Sequence, residues 1–258
     1  MLSPLIPLTL TVAIATLSHA DTVVIPTSSF DSYADLETYW NYLYPWGSDH
    51  NGSARMVGNS TDHSHISVAN GVLTLTATPT SGQGTSSESP HLTIDYFSGT
   101  IYAKDDITVD GTDVVGYVVE GEFIAPTAVG TWPAFWLTAV NSWPPEADIG
   151  EWKGTQQTWF NTFNTSSEVK STIVAWPDDG EFHSVKAVLS SIEGDSSDVT
   201  IDYYLDNVLQ ATHVGADFLG APLYLIIDLQ MEGSSGSPGP TGTTTYQIRN
   251  VQVTKVTS

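Results

Sequence analysis

The chain contains no cysteine among its 258 residues. Disulfides, cysteine-based catalysis and thiolate metal sites are therefore excluded. Basic residues are also scarce, since seven Lys and Arg stand against 29 Asp and Glu, for a formal net charge of −22. A chain this acidic is repelled by nucleic acid and by anionic membranes, so we expect neither as a partner. The charge also mildly disfavours a polyanionic glycan, although solubility in acidic surroundings explains it equally well.

Long hydrophobic runs are missing too. Residues 1–20 carry no Lys, Arg, Asp or Glu and end in a small residue, Ala20. This pattern predicts a secretory signal peptide, although the usual positive start is absent. The apolar run is too short for a membrane span, and no later segment approaches the roughly 18 apolar residues that one requires. We expect a secreted protein in which residues 21–258 form one domain.

Sustained helical periodicity is absent, and strand-length segments recur instead. The breaks between them are rich in Gly, Pro, Asp, Asn and Ser. The predicted strands after the first alternating segment at 72–78 are 92–97, 99–104, 114–124, 133–139, 146–152, 158–163, 171–176, 181–190, 199–205, 223–230 and 245–255. There is no internal repeat and no interdomain linker, so the pattern predicts one all-β antiparallel sandwich.

Three carboxylates lie within six residues of one of these strands. Because side chains alternate along a strand, Glu146 and Asp148 share a face and Glu151 should point away from it. One extra residue accommodated as a β-bulge, for which Gly150 is the natural candidate, would return Glu151 to their side. Two glutamates at this spacing could then bring their carboxyls to the roughly 5–5.5 Å used by retaining glycosidases.

Glycoside cleavage needs two carboxyl groups in different protonation states, one an ionised nucleophile and one a proton donor. Asp148, between the two glutamates, would hold a like charge close and raise at least one apparent pKa of the coupled set. The plainer alternative is a solvated acidic strand edge. It does not account for the four neighbouring tryptophans, whose flat faces suit sugar rings.

The run Glu146-Ala-Asp-Ile-Gly-Glu151, preceded by Gly130-Thr-Trp-Pro-Ala-Phe-Trp-Leu, closely resembles glycoside hydrolase family 16. Weaker likenesses occur in the same order along the chain: Ser98-Gly-Thr-Ile, Phe182-His with Tyr203-Tyr-Leu-Asp-Asn, and the strands beginning at Pro222 and Ile248. The resemblance implies a β-jelly-roll of two antiparallel sheets. It also implies that Glu146 is the nucleophile, Asp148 its assisting acid and Glu151 the general acid/base.

Residues near the acids are the candidates for substrate contact. Alternation along the strand after the acids favours Trp159 and Asn161 toward a cleft, unless the phenylalanines alone mark the core side. Gln230 and Glu232 replace residues that are usually small in the family, so they line the cleft or simply end a strand in solvent. The predicted substrate-binding residues are Trp132, Trp136, Trp143, Trp152, Trp159, Asn161, Gln230 and Glu232.

The resemblance implies a retaining endo-β-glycosidase that hydrolyses a neutral polysaccharide, a β-1,3 or mixed-linkage β-glucan or a galactan. Thr100 stands where laminarinases of the family commonly have arginine, which weakens an assignment to ordinary β-1,3-glucan. Three alternatives remain open: a transglycosylase using the same residues, a non-catalytic lectin-like module, and, less favoured with so few basic residues, a polysaccharide lyase.

No cofactor is required for this chemistry, and we predict no metal site. His63 and His65 lack an obvious third ligand. A structural calcium ion, which members of the resembled family often hold, stays an open alternative, although no Asp-rich loop specifies it. Three Asn-x-Ser/Thr sequons, at Asn51, Asn59 and Asn164, predict N-glycan acceptors in exposed loops of a secreted enzyme. We expect the enzyme to be a monomer.

Overall fold

The computed structural model describes residues 21–258, so the predicted signal peptide lies outside the described part of the chain. The order of elements alternates strands with short turns, and one short α-helix occurs near the start. The elements are β1 (Thr22–Ile25), α1 (Tyr33–Tyr39), β2 (Trp40–Tyr42), β3 (Ala54–Met56), β4 (Ile66–Ala69), β5 (Val72–Pro79), β6 (Tyr96–Ser98), β7 (Thr100–Ala103), β8 (Val114–Ile124), β9 (Thr131–Ala139), β10 (Glu146–Glu151), β11 (Gln157–Thr165), β12 (Glu168–Ala175), β13 (His183–Ser191), β14 (Val199–Leu205), β15 (Val208–Gly215), β16 (Leu223–Met231) and β17 (Thr244–Thr257).

The strands form two sheets. The seven-stranded sheet has the order β12-β11-β10-β9-β16-β7-β2, and all its pairs are antiparallel. The ten-stranded sheet has the order β15-β14-β13-β8-β17-β5-β6-β3, with β1 paired to β17 and β4 paired to β5. Its one parallel pair joins β3 to β6. The two sheets pack face to face, which confirms the predicted all-β sandwich.

The core lies between the inner faces of the sheets and is rich in aromatic side chains. Phe123 of β8 packs against Phe135 of β9 with ring centroids 5.1 Å apart, and against Tyr246 of β17 at 5.7 Å. All three rings are fully buried. Along β9 the residues alternate between this core and the outer face, so that Trp132 and Trp136 leave the core on the side opposite Phe135. The strand is buried on both faces, which indicates that other segments cover its outer side.

Several elements were not predicted from the sequence: the helix α1, the short strands β2, β3 and β4, and the strand β15. The seven-residue helix α1 begins shortly after Phe30, and the side chain of Ser32 caps it by accepting a hydrogen bond from Asp35 N at 3.1 Å. The helix is too short to show a periodic stripe. Strand β15 was also absent from the prediction; it follows a tight turn at Asp206 and Asn207, which both have positive φ, as two-residue hairpins require. Within residues 21–258 no helix is long and apolar enough to cross a membrane.

Candidate active site

The acidic strand β10 carries the predicted bulge. Asp148 lies opposite Asn161 of β11 and Glu151 lies opposite Trp159, so three steps along β10 match two along β11. A second register shift, toward β9, falls between Asp148 and Gly150. The bulge returns Glu151 to the face of Glu146 and Asp148, and all three carboxylates line one cavity. The predicted placement of the three acids on one face is confirmed.

Gly150 is required at this bulge because there is no room for a side chain. A Cβ built on it would lie 2.8 Å from the ring of Trp152 and 3.3 Å from a methyl of Val185 in the other sheet. Ile149 is also fully buried. The extra residue therefore sits against the core, and this allows Glu151 to face outward.

Glu151 receives three hydrogen-bond donors, more than either of the other acids. Trp132 Nε1 donates to Oε1 at 2.7 Å, and Asn161 Nδ2 donates to Oε2 at 2.7 Å. Lys153 Nζ forms an ion pair with Oε2 at 2.8 Å. These three donors fix the position of the Glu151 carboxyl group in the site.

Glu146 and Asp148 lie in surroundings that favour the proton. Burial raises the pKa of Glu146 to about 7, and the donor Trp143 Nε1, 2.9 Å from Oε2, only partly opposes it. Burial, with the neighbouring charges of Glu151 and Glu146, raises the pKa of Asp148 well above its ordinary value. Asp148 accepts from Asn161 Nδ2 at 2.7 Å. One amide therefore ties Asp148 to Glu151.

The cavity beside the acids has a volume of about 530 Å³. Its floor is the outer face of β9, β10 and β16, and loops wall it. Of the predicted substrate contacts, the cavity brings together Trp132, Trp136, Trp143 and Gln230 with the three acids; its other lining residues are Trp46, His50, Asn51, Glu88, Ala134, Thr138, Ala139, Val140, Ser142, Lys153, Phe163, Tyr224, Asp228 and Ser234.

A further buried carboxylate, Asp228 of β16, faces this cavity. The strand register places it in one row with Ala134 of β9 and Glu151 of β10. Asp228 Oδ1 accepts from Trp136 Nε1 at 2.8 Å, and Oδ2 accepts from Tyr44 Oη at 2.9 Å. Burial raises its pKa to about 7 despite these two donors. The small Ala134 leaves an open floor between the two carboxylates.

Aromatic rings form the wall around Asp228. Trp46 stacks on Tyr44 with centroids 5.1 Å apart, and His50 stacks on Trp136 at 5.7 Å. Burial lowers the pKa of His50 to about 4, so it is a neutral ring at ordinary pH. The wall therefore offers flat, uncharged surfaces on which sugar rings stack.

Trp152 does not line the cleft, and its prediction as a substrate contact is wrong. It is fully buried, and its ring packs against Phe123, Trp176 and Tyr246. The reason is the bulge itself: once Glu151 is returned to the outer face, the next residue must point into the core. The same alternation brings Lys153 back to the face of Glu151.

The prediction of Glu232 as a substrate-binding residue is also wrong. Its carboxylate accepts from Gly239 N at 2.8 Å and Ser237 Oγ at 3.1 Å, so it holds the loop after β16 and does not line the cavity. Gln230 does line it, but its amide is engaged with both backbone groups of Ala54, accepting at 2.8 Å and donating at 3.3 Å. Gln230 thus seats the segment that carries Asn51 into the cavity.

The two residues predicted on β11 lie on the cleft side of the sheet but not in the open cavity. Asn161 is 2% exposed, and its amide is bound to the acids. Trp159 lies beyond them, with Lys153 Nζ 5.7 Å from its ring centroid. Asn161 therefore holds the acids in place, and Trp159 supports the lysine.

The three sequons occupy different surroundings. Asn59 is exposed, as predicted. Asn164 is half-buried, and its Oδ1 accepts from Ala216 N at 3.0 Å. Asn51 lines the cavity with its Oδ1 buried, so the expectation of an exposed loop is wrong there. Among the described residues, no group of three or more His, Asp or Glu is arranged to hold a metal ion.

No protein-family model matches the chain. It is, however, 59% identical over 234 residues to a galactan endo-β-1,3-galactanase of Flammulina velutipes, and the match covers 90% of each protein. The chain belongs to glycoside hydrolase family 16. It is also 30% identical over 179 residues to the endo-1,3-1,4-β-glycanase ExsH of Rhizobium meliloti, covering 67% of this chain and 35% of that longer protein.

Solved structures show the same fold. An endo-1,3-β-glucanase from Streptomyces sioyaensis superposes with a TM-score of 0.65 at 20% identity, covering 85% of this chain and 90% of that one. SCLam, a non-specific endo-β-1,3(4)-glucanase of family 16, gives 0.63 at 18% identity and covers 85% and 84%. These neighbours confirm the family-16 jelly-roll, and family membership confirms the prediction of a glycoside hydrolase.

The sequence analysis missed several cavity residues. Trp46 follows the short strand β2 and is exposed, whereas Tyr44, two residues before it, is buried. His50 and Asp228 carried no recognisable local signal. Lys153 did carry one: the alternation that sends Trp152 inward puts the lysine beside Glu151.

Proposed function

We propose that this enzyme is a secreted, endo-acting, retaining β-glycosidase that cleaves a neutral polysaccharide. The observation that carries the proposal is the bulged strand, which presents Glu146, Asp148 and Glu151 together on the floor of an aromatic-walled cavity. A lectin-like module needs aromatic walls but no coupled set of buried acids. The acids therefore favour catalysis over binding alone.

In the proposed reaction the ionised form of Glu146, which predominates above its pKa of about 7, attacks the anomeric carbon while Glu151 gives its proton to the departing glycosidic oxygen. Glu151 then takes a proton from the water that attacks the glycosyl-enzyme, and Glu146 is released. Asp148 lies between the two glutamates, and burial raises its pKa, so it disfavours a further negative charge beside them. Trp143, through its bond to Glu146, orients the nucleophile.

The space between the carboxylates of Glu151 and Asp228 has the size of one sugar ring. Ala134 forms its floor, Trp132 and Trp136 stand on either side along β9, and Glu151 and Asp228 close its ends. Two strand spacings, about 10 Å, separate the backbones of those ends, which accommodates a pyranose and its hydroxyls. Asp228 retains free lone pairs to accept a sugar hydroxyl.

A β-1,3-linked galactan is the favoured substrate, with β-1,3 or mixed-linkage glucan as the alternative. The relative identical at 59% is named as a galactan endo-β-1,3-galactanase, whereas the glucanases match at 20% identity or less. Thr100 supports the same choice, because it is fully buried and donates to Ile227 O at 3.0 Å, so no arginine reaches the cleft from this position.

The test is product analysis on purified enzyme. A panel of β-1,3-galactan, laminarin, mixed-linkage glucan and a uronic glycan is digested, and the first-formed anomer is followed by NMR. We expect oligosaccharides from galactan with retained β configuration. An inverted first product would contradict the mechanism, chain-length redistribution without new reducing ends would indicate a transglycosylase, and an unsaturated product would indicate a lyase.

Secretion and glycosylation complete the proposal. The composition of residues 1–20 and a polymeric substrate both support secretion. We expect the secreted enzyme to be a monomer. Asn59 is the sequon best placed for a glycan because its side chain is exposed. Asn51 is the worst placed, because a glycan there would occupy the cavity.

A further inference from the structure

The cleft face of the seven-stranded sheet continues past the acids onto β11 and the edge strand β12. Strand register sets Val169 of β12 opposite Phe163 of β11, and Ile173 opposite Trp159. Phe163 and Trp159 share a face with Asn161, whose amide binds the acids, so the two β12 side chains lie on the same face of the sheet as the acids. Phe163 also lines the cavity. The face of β12 is therefore continuous with the candidate active site.

This face of β12 is both apolar and exposed. Val169 is 45% exposed and Ile173 is 49% exposed. On the other side of the strand Thr172 hydrogen-bonds to the buried His213, and Val174 packs against the core, so β12 has an ordinary inner face as well. An edge strand that presents large apolar side chains to water promotes aggregation, and proteins commonly place charged residues there instead. The exposed apolar side chains therefore indicate a binding surface.

Trp143 connects this face to the acids. Its ring is 52% exposed, its centroid lies 5.8 Å from that of Phe163, and its Nε1 donates to Glu146 Oε2. The register places Glu146, Phe163 and Val169 in one row across β10, β11 and β12. The row extends about 10 Å beyond β10, the length that one sugar ring with its hydroxyls requires. Its uncharged rings and methyl groups suit the C–H faces of a neutral sugar chain.

The two sides of the acids differ in how closely they enclose a sugar. On the side of β9 and β16, Trp46, His50 and Trp136 wall the cavity around Asp228. On the side of β12 the described side chains are open to water. A retaining enzyme keeps one half of the chain bonded to Glu146 while the other half departs and water enters. The walled side therefore suits the half that stays, and the open side suits the half that leaves.

We propose that the exposed apolar surface beside the acids binds the sugar units on the leaving-group side of the scissile bond. This surface, the leaving-side platform, consists of Trp143, Phe163, Val169 and Ile173. The inference rests on the proposed function, because it takes the protein as a retaining endo-glycosidase. Val169 and Ile173 lie two strands from the acids, so they act through binding alone. They increase the rate only for substrates that carry sugars beyond the cleaved bond.

The test compares the double variant Val169→Ser/Ile173→Ser with wild type on two substrates. One is a long oligosaccharide of the glycan that wild type cleaves in the panel above; the other is a β-glycosyl fluoride of the same sugar, whose leaving group is a fluoride ion. On the oligosaccharide kcat/KM should fall roughly tenfold, as for the loss of apolar contact area. On the fluoride, which has no sugar on the leaving side, it should stay unchanged. With oligosaccharides labelled at the reducing end, the variant should cleave bonds nearer that end.

Two further variants make the result specific. Val169→Leu/Ile173→Leu keeps the apolar surface and should behave as wild type. Val208→Ser/Val214→Ser removes two valines that are 61% and 46% exposed on β15, the edge strand of the other sheet, and should change neither rate.

Three outcomes would overturn the inference. The first is a wild-type rate of the serine double variant on the oligosaccharide. The second is an equal loss on both substrates, which would mean that the change disturbs the acids themselves. The third is a wild-type dimer, detected by sedimentation, that the double variant breaks while both rates stay unchanged. That result would make this face an interface between copies of the chain.

Failure of the proposed function gives a different result. If the protein is not a retaining endo-glycosidase, wild type itself releases an inverted first product or cleaves only from chain ends. If only the leaving-side platform is wrong, wild type still cleaves internal bonds with retention, and the failure shows only in the comparison with the variants.

Discussion

The two sides of the cavity are built differently. The acid side comes from two adjacent strands, β10 and β11, and its carboxylates are bound to donors that lie within 20 residues of them along the chain. The opposite wall comes from segments far apart: Asp228 is 184 residues from Tyr44 and 92 from Trp136. The acid side is a row of carboxyl groups on one strand, and the opposite wall is a set of stacked rings around one carboxylate.

This difference assigns different tasks to the two sides. A change on the acid side should act on the chemical step, because those groups exchange charge and protons with the substrate. A change in the opposite wall should act mainly on binding, because rings and a hydroxyl acceptor contact the sugar equally before and during reaction. Variants on either side therefore test the division directly.

The largest effect is expected from Glu146→Gln. The amide keeps the shape of the side chain but is no nucleophile, so kcat should fall by roughly 10⁴-fold or more. Reducing-end release on the polysaccharide measures this loss, and thermal unfolding should show a fold as stable as wild type. The matched control is Glu122→Gln, at an ion pair with Arg249 on the other sheet, which should retain activity. Substantial turnover by Glu146→Gln would remove this residue as the nucleophile.

Gly150→Ala should have the next largest effect, because it tests the bulge that brings the acids together. Its Cβ must displace the ring of Trp152, 2.8 Å away, at a cost of about 1–3 kcal/mol in the free energy of unfolding. A displacement of Glu151 by about 1 Å would lower kcat roughly 100-fold. Activity and denaturant unfolding are measured beside Gly242→Ala, whose Cβ would meet nothing within 4 Å. Equal behaviour of the two variants would show that the bulge tolerates a side chain.

The acid side could be predicted from the sequence because its rules are local. Strand alternation and one glycine place Glu146, Asp148 and Glu151 together, and pairing with the next strand in the chain adds Asn161. The error at Trp152 came from applying the bulge to Glu151 and not to the residue after it. Carried one step further, the same rule gives both Trp152 in the core and Lys153 in the cleft.

The opposite wall could not be predicted in this way. Asp228 occurs in an apolar strand that looks like ordinary core, and only the pairing of β16 with β9 shows that it faces the cavity. His50 and Asn51 lie in a loop whose position depends on Gln230 and on the absence of a side chain at Gly52. These contacts join segments that are distant along the chain, so neither hydrophobic periodicity nor motif spacing predicts them.

Asp228→Ala should have a smaller effect than either change on the acid side, and it should act on a different step. Without the carboxylate, the buried Nε1 of Trp136 loses its acceptor, 2.8 Å away, and the ring loses its fixed orientation. A cost of about 1–2 kcal/mol corresponds to roughly a tenfold loss in kcat/KM, mostly as a higher KM. Initial rates over a range of oligosaccharide concentrations separate the two constants. A loss confined to kcat would instead place Asp228 with the reacting groups.

Asp228→Asn should give the smallest effect, on stability as a function of pH. The folded protein raises the pKa of Asp228 from 3.8 to about 7, so between these values the native state binds more protons than the unfolded state. The free energy of unfolding therefore falls as pH rises through this window, by on the order of 1–4 kcal/mol for this group. Asparagine can still accept from Trp136 and donate to Tyr44 Oη, but it does not titrate. Melting temperatures at pH 4.5 and 8 should thus differ less for Asp228→Asn than for wild type, because Glu146 and His50 titrate in both proteins and cancel. Parallel declines would mean that Asp228 is charged in the folded enzyme at low pH as well.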